Sequence, residues 1–180
     1  MKVKEVHDII VEKHPYHESL NKKLMDDMKS MEFYTPENNN FPTNIRARQF
    51  NFNKSNPPPE PVKIILKWIQ NLIREDKHWF DAEKELNNDS LFEISSWLAW
   101  YNKGEETWKH DHKQALLAYV YFVHSPPGSS PLVFSTSGKK VKPEEGRVVI
   151  FPGSMHHHVP KNNCNDRITL AGNIVFDLNS

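Results

Sequence analysis

Gly146-Arg147-Val148-Val149-Ile150-Phe151-Pro152-Gly153-Ser154-Met155-His156-His157-His158-Val159-Pro160 is the stretch that decides how this chain reads. Its first half is β-branched and aromatic, bracketed by Gly146 and Pro152, which is the composition and punctuation of a short strand. A strand ending at Phe151-Pro152 delivers the three histidines at a strand edge. On extended backbone His157 faces away from His156 and His158 and shares its side with Val159. Gly153 is the position at which a bulge would shift that register. The run His156–His158 is too short and too internal for an expression tag.

Outward from this stretch the same texture recurs. Phe92–Asn102 (FEISSWLAWYN), Ala115–His124 (ALLAYVYFVH), Pro131–Phe134 (PLVF) and Arg167–Phe176 (RITLAGNIVF) are short, β-branched and aromatic, and separated by Gly, Pro, Asn and Asp. Closely spaced strands of this kind indicate a sandwich or barrel.

The N-terminal half has another character. Val3–Val11 is partly apolar and suits a helix or a strand. Leu20, Leu24, Met28 and Met31 recur at helical spacing after Pro15, and this helix is expected to end before Thr35-Pro36. Pro36–Pro42 (PENNNFP) reads as a loop and Thr43–Phe52 as a weakly alternating strand. Ser55–Pro61 (SNPPPEP) is a stiff extended connector. Val62, Ile65, Leu66, Ile69, Leu72 and Ile73 then form one apolar helical stripe, and Asn87–Asp89 a turn. The expected architecture is mainly β (α+β). Residues 1–90 form a mostly helical support, 91–180 a β-sandwich core, and 1–180 a single domain.

Composition narrows the function classes. The chain has 180 residues, with 23 Lys plus Arg against 23 Asp plus Glu, so no global basic field draws it to nucleic acid or an anionic membrane. Mean hydropathy is −0.71 and no run approaches the ~18 apolar residues of a membrane span. The single cysteine, Cys164, cannot form an intrachain disulfide. A cytoplasmic location is expected.

A second histidine cluster, Trp108-Lys109-His110-Asp111-His112, precedes the first. Residues i and i+2 of a strand share a face, so His110 and His112 project together, with Asp111 opposite. A third ligand from another strand closes a facial metal site. Imidazoles suit iron, zinc, copper and nickel alike. Arg167 and Thr169 share a face of the last run, and a guanidinium beside a hydroxyl suits bidentate capture of a carboxylate.

Trp97–Phe176 resembles the Fe(II)- and 2-oxoglutarate-dependent oxygenases, and within them a group of small oxygenases of bacteria and phages. The resemblance is carried by Trp100-Tyr101-Asn102, His110-Asp111-His112, Ala118-Tyr119-Val120-Tyr121, Gly146–Pro152, His157-His158-Val159, Arg167-Ile168-Thr169 and Asn173, in that order. It implies a double-stranded β-helix jelly roll with supporting N-terminal helices. His110, His112 and His157 are implied as Fe(II) ligands, with His112 where a carboxylate is usual. Arg167, helped by Thr169, is implied to bind the distal carboxylate of 2-oxoglutarate, with Tyr119, Tyr121 and Asn102 as further co-substrate contacts. The implied activity is hydroxylation of a small molecule or a protein side chain. Two other readings stand beside it. One is a cupin-type metalloprotein with three histidine ligands, which Gly104 before the His-x-His echoes, although Lys113–Leu116 supplies no glutamate at the cupin spacing. The other is a non-catalytic jelly-roll binding module.

Overall fold

A computed structural model describes residues 9–38, 43–75 and 92–176. The expected turn at Asn87–Asp89, the start of Val3–Val11 and the second half of the Pro36–Pro42 loop lie outside these residues.

Eleven strands form two antiparallel sheets among the described residues. The major sheet has the order β1 (Ile10–Lys13), β9 (Arg147–Pro152), β6 (Leu117–His124), β11 (Arg167–Phe176), β4 (Phe92–Tyr101), β3 (Arg48–Asn51). The minor sheet has the order β2 (Ile45–Arg46), β5 (Glu106–His110), β10 (His157–Val159), β7 (Leu132–Phe134), β8 (Lys140–Val141). Most neighbours in each sheet are non-consecutive strands (β3–β4 and β7–β8 excepted), which is the crossing pattern of a double-stranded β-helix. The helices are α1 (His17–Asp27), continued by a 3-10 turn to Ser30, and α2 (Glu60–Glu75). Neither is long and apolar enough to cross a membrane.

The expected helices and the five long strand runs are present. The N-terminal half supplies more than helical support, because β1 and β3 extend both edges of the major sheet and β2 extends the minor one. β5, β8 and β10 carry no alternating apolar signal. They are two to five residues long, and their neighbours impose extended backbone on them through the hydrogen-bond ladder.

The major sheet is covered on both faces. Towards the helices, Leu98, Tyr121, Val148, Ile150 and Leu170 meet Leu24, Ile65 and Ile69, all fully buried, in the larger core. Between the sheets, Phe122, Phe134, Val149 and Phe151 form a second core. The two-residue strand period therefore sorts each strand into helix-facing and inter-sheet residues.

That sorting places Tyr119 and Tyr121. Both sit at helix-facing positions of β6 and join the larger core. The Tyr121 hydroxyl donates to Asn21 Oδ1 on α1 at 2.8 Å, and Asn21 Nδ2 donates to the Val123 carbonyl at 2.7 Å. Tyr121→Phe removes the donor to a buried amide oxygen. Such a loss costs about 1–3 kcal/mol, so urea denaturation is expected to show that loss while ligand binding between the sheets stays unchanged.

Candidate metal and carboxylate site

β5 and β10 run antiparallel, and His110 and His157 are direct partners across them. His157 stands at the centre of the minor sheet, since β10 pairs β7 on its other side through His157 and Phe134. It is buried, as is Val159, while His158 between them is half-exposed. His112 arrives differently from the expected continuous strand. β5 ends at His110, and the chain turns through Asp111 and His112 towards β6. The turn is tied to the β9 end: His112 N–H donates to the Gly153 carbonyl at 2.7 Å, and Gly153 N–H to that of Leu116 at 3.0 Å.

The three rings converge. Ring centroids lie 4.3 Å apart for His110–His157, 4.9 Å for His110–His112 and 5.1 Å for His112–His157. Their potential ligand nitrogens all fall within 4.8 Å of one another. His110 Nδ1 lies 2.8 Å from the Trp108 carbonyl and His157 Nδ1 2.9 Å from the Met155 carbonyl. A carbonyl only accepts, so both Nδ1 atoms carry the proton and both Nε2 lone pairs are free. Backbone acceptors of this kind fix the tautomer of metal-binding imidazoles. Burial, reinforced by the neighbouring imidazoles, pushes His157 down to about 3 and His112 to about 4, and burial lowers His110 as well. The cluster is therefore neutral at neutral pH, as a cation-binding site requires.

The flanking histidines are occupied elsewhere. His156 Nε2 lies 3.3 Å from Asp111 Oδ2, and His158 Nδ1 lies 2.9 Å from Ser135 Oγ. Asp111 pairs with His156 and is not one of the three converging groups, though its charge opposes the lowering of His110 and His112.

The same cavity reaches Arg167 and Thr169. Both are buried, Arg167 completely. Arg167 Nε donates to the Ser130 carbonyl at 3.1 Å, and its carbon centre sits 4.7 Å from the Tyr101 ring. Nη1 and Nη2 have no hydrogen-bond partner among the described residues. Burial lowers the Arg167 pKa, the Tyr101 ring and hydroxyl oppose this, and the group stays cationic because free guanidinium titrates so high. A buried cationic fork with both outer nitrogens free is built for a planar anion.

Of the remaining expected co-substrate contacts, Tyr119 borders the cavity, but its hydroxyl bonds Ser96 at 2.8 Å on the helix side. Tyr121 faces α1, as above. Asn102 closes the β4–β5 turn, its backbone N–H donating to Glu105 Oε2, and is not among the cavity-lining residues. Tyr101 also lines the cavity. It pairs with Arg167 across β4 and β11, and its hydroxyl bonds Thr107 at 2.7 Å. Sequence reading passed over it, yet Tyr101 shares the parity of Trp97 and Ala99, which also line the cavity. The late Asn173 and Trp97 leave Oδ1 and Nε1 buried without partners.

The chain matches no protein-family model and no curated protein. Its structure matches solved ones over nearly its whole length. A Pseudomonas putida prolyl-4-hydroxylase aligns with TM-score 0.69 and 16 % identity, covering 94 % of this chain and 92 % of that one. Viral collagen prolyl hydroxylase from Paramecium Bursaria Chlorella virus-1, a 2-oxoglutarate complex, gives 0.64 and 16 %, covering 91 % and 94 %. HygX from Streptomyces hygroscopicus, with nickel and 2-oxoglutarate bound, gives 0.63 and 11 %, covering 93 % and 82 %. These likenesses establish the fold: the chain is a double-stranded β-helix protein.

Two outcomes test the geometry. A Cβ on Gly153 would lie 2.2 Å from the Ala115 carbonyl oxygen and 2.6 Å from that of His112, and backbone cannot swing aside as a side chain can. Gly153→Ala is therefore expected to displace the His112 turn and weaken Co(II) or Fe(II) binding in a titration, with His110 and His157 intact.

The second outcome concerns pH. The unfolded chain takes up protons on histidine near 6.5, whereas folded His112 and His157 do so only near 4 and 3. Stability of the metal-free protein is complete above about 6.5 and falls as pH drops through the window towards 4. Thermal denaturation across that window should show this slope, shallower in His157→Gln.

Proposed function

We propose that this protein is an Fe(II)- and 2-oxoglutarate-dependent oxygenase that hydroxylates a C–H bond of a small molecule or a protein side chain. One observation supports the reading most: three neutral imidazoles and a fully buried guanidinium whose Nη1 and Nη2 have no hydrogen-bond partner among the described residues line a single cavity between the sheets. The first set suits a divalent cation and the second the far end of a dicarboxylate. Structural neighbours include a Trichoplax adhaerens prolyl hydroxylase in complex with a hypoxia inducible factor peptide, and HygX with nickel, 2-oxoglutarate and hygromycin B bound.

In this reading His110, His112 and His157 hold the iron through Nε2 of at least His110 and His157, whose Nδ1 atoms are engaged. Bound Fe(II) with 2-oxoglutarate supplies the chemistry by which O2 converts the co-substrate to succinate and carbon dioxide and a C–H bond to an alcohol. Arg167 receives the distal carboxylate on Nη1 and Nη2, with Thr169 beside it and the Tyr101 ring fixing the guanidinium plane. Phe151, Val120 and Leu132 wall the cavity with apolar surface and keep bulk water from the reacting end. With His112 in place of the usual carboxylate, the ligand set contributes one negative charge fewer to the metal. The cupin-type reading shares the three histidines but has no use for Arg167.

The test separates them. A buried carboxylate deprived of its cationic partner costs about 2–5 kcal/mol. Arg167→Ala is expected to weaken 2-oxoglutarate by tens-fold or more in anaerobic calorimetry, with Fe(II) binding nearly intact. His110→Ala and His157→Ala should lose the metal, His112→Asp should keep it, and His156→Ala and His158→Ala should leave turnover of 2-oxoglutarate to succinate in place. Equal 2-oxoglutarate affinity in wild type and Arg167→Ala would refute the co-substrate assignment and favour the three-histidine alternative.

A further inference from the structure

Asn162 lies in the β10–β11 connection, outside the cavity lining, and is 1 % exposed. Its side chain is used at both ends. Oδ1 accepts from Ser130 N–H at 3.0 Å, and Nδ2 donates to the Cys164 carbonyl at 2.7 Å. Its backbone is used too: the N–H donates to the Glu105 carbonyl and the carbonyl accepts from Gly104 N–H, each at 2.7 Å. One buried residue thus joins the β4–β5 turn, the β6–β7 connection and its own loop. An amide is buried without penalty only where donor and acceptor are both satisfied.

The consequence runs to the cavity through Ser130. Asn162 holds the Ser130 N–H, Ser130 Oγ donates to the Lys161 carbonyl at 2.9 Å, and Pro131 restricts the Ser130 backbone. The Ser130 carbonyl is therefore held from both sides, and it is the acceptor of Arg167 Nε. Among the described residues the guanidinium otherwise meets Tyr101 and Phe122, whose ring centres lie 4.7 and 5.7 Å from its carbon, and the Tyr101 hydroxyl favours its charged form. Faces restrict the tilt of the fork. The single Nε bond sets its roll, and so the direction in which Nη1 and Nη2 point.

We propose that Asn162 is a positioning residue that fixes the roll of the Arg167 fork by pinning the Ser130 carbonyl. It thereby gives the site its preference for a dicarboxylic 2-oxo acid over a monocarboxylic one. The inference rests on the co-substrate reading above. The probes are 2-oxoglutarate and pyruvate, which share the 2-oxo acid end and differ in the distal carboxylate. In anaerobic calorimetry of the Fe(II)-loaded protein, Asn162→Ala is expected to weaken 2-oxoglutarate by roughly tenfold to a hundredfold, the range for a misplaced positioning group, while pyruvate is nearly unchanged.

Ser130→Gly frees the same carbonyl without touching Asn162 and is expected to narrow the preference likewise, which keeps the test open if Asn162→Ala does not fold. Asn162→Asp keeps the acceptor for Ser130 N–H and should retain most of the preference. A metal-free readout accompanies these: the Arg167 Nε–H resonance in nitrogen-15 spectra should exchange slowly with solvent in wild type and faster in Asn162→Ala. Parallel weakening of both acids, or no weakening, in Asn162→Ala and Ser130→Gly would overturn the positioning role, as would unchanged Nε–H exchange. Wild-type protein that does not distinguish the two acids would instead overturn the co-substrate reading, leaving the exchange measurement to decide the role of Asn162.

Discussion

The major sheet is buried on both faces, and most of the molecule follows from that constraint. An antiparallel sheet with one wet face alternates apolar and polar residues, so its polar residues say little. A sheet covered by helices on one side and a second sheet on the other must be apolar in both directions. In β11, Ile168, Leu170 and Ile174 pack towards α1 and α2, while Arg167 and Thr169 point between the sheets. A charged residue on that inner face has no solvent to retreat to. Its place is held by what it contacts and by what it is built to receive.

The electrostatics of the inner space are asymmetric. Three imidazoles lose their protons because burial disfavours the charged form and each would repel the next. The guanidinium cannot respond in the same way, because its free pKa is too high. One region therefore offers lone pairs without charge, and the other charge without a counter-ion. The two are complementary to a cation and an anion respectively. A ligand spanning the space satisfies both only if it presents a metal-chelating end and an acidic end.

How much of this was legible in the sequence depends on which force set each feature. The α2 stripe from Val62 to Ile73 and the strands around Val148 and Leu170 were readable because their apolar periodicity is the packing itself. Alternation separated His157 from His156 and His158, and the resemblance to the oxygenase pattern pointed to it among the three. β5 and β10 carry no apolar alternation of their own: extended backbone was expected at their histidines, but the partners that make them strands lie far along the chain. The same cause hid the roles of the tyrosines. Tyr119 and Tyr121 sit in a run buried on both faces, so nothing in that run tells which parity meets the helices. The position of α1, carrying Asn21 to Tyr121, decides it. Asn162 was invisible for a further reason: a polar residue in a polar loop gives no signal until tertiary contacts show each of its hydrogen bonds in use.

The bare fork of Arg167 has a consequence for the history such a protein can have. A fully desolvated cation without a counter-ion lowers the stability of the ligand-free fold, and replacing buried ionic groups by apolar ones of similar volume is often neutral or stabilising. A methionine or leucine at this position would fill the space beside Phe122 and Tyr101 and relieve that burden. Selection for robustness alone would favour such a change, and only selection for the ligand opposes it. If the proposed co-substrate reading holds, the arginine is a residue kept for the occupied state at the expense of the durability of the empty one.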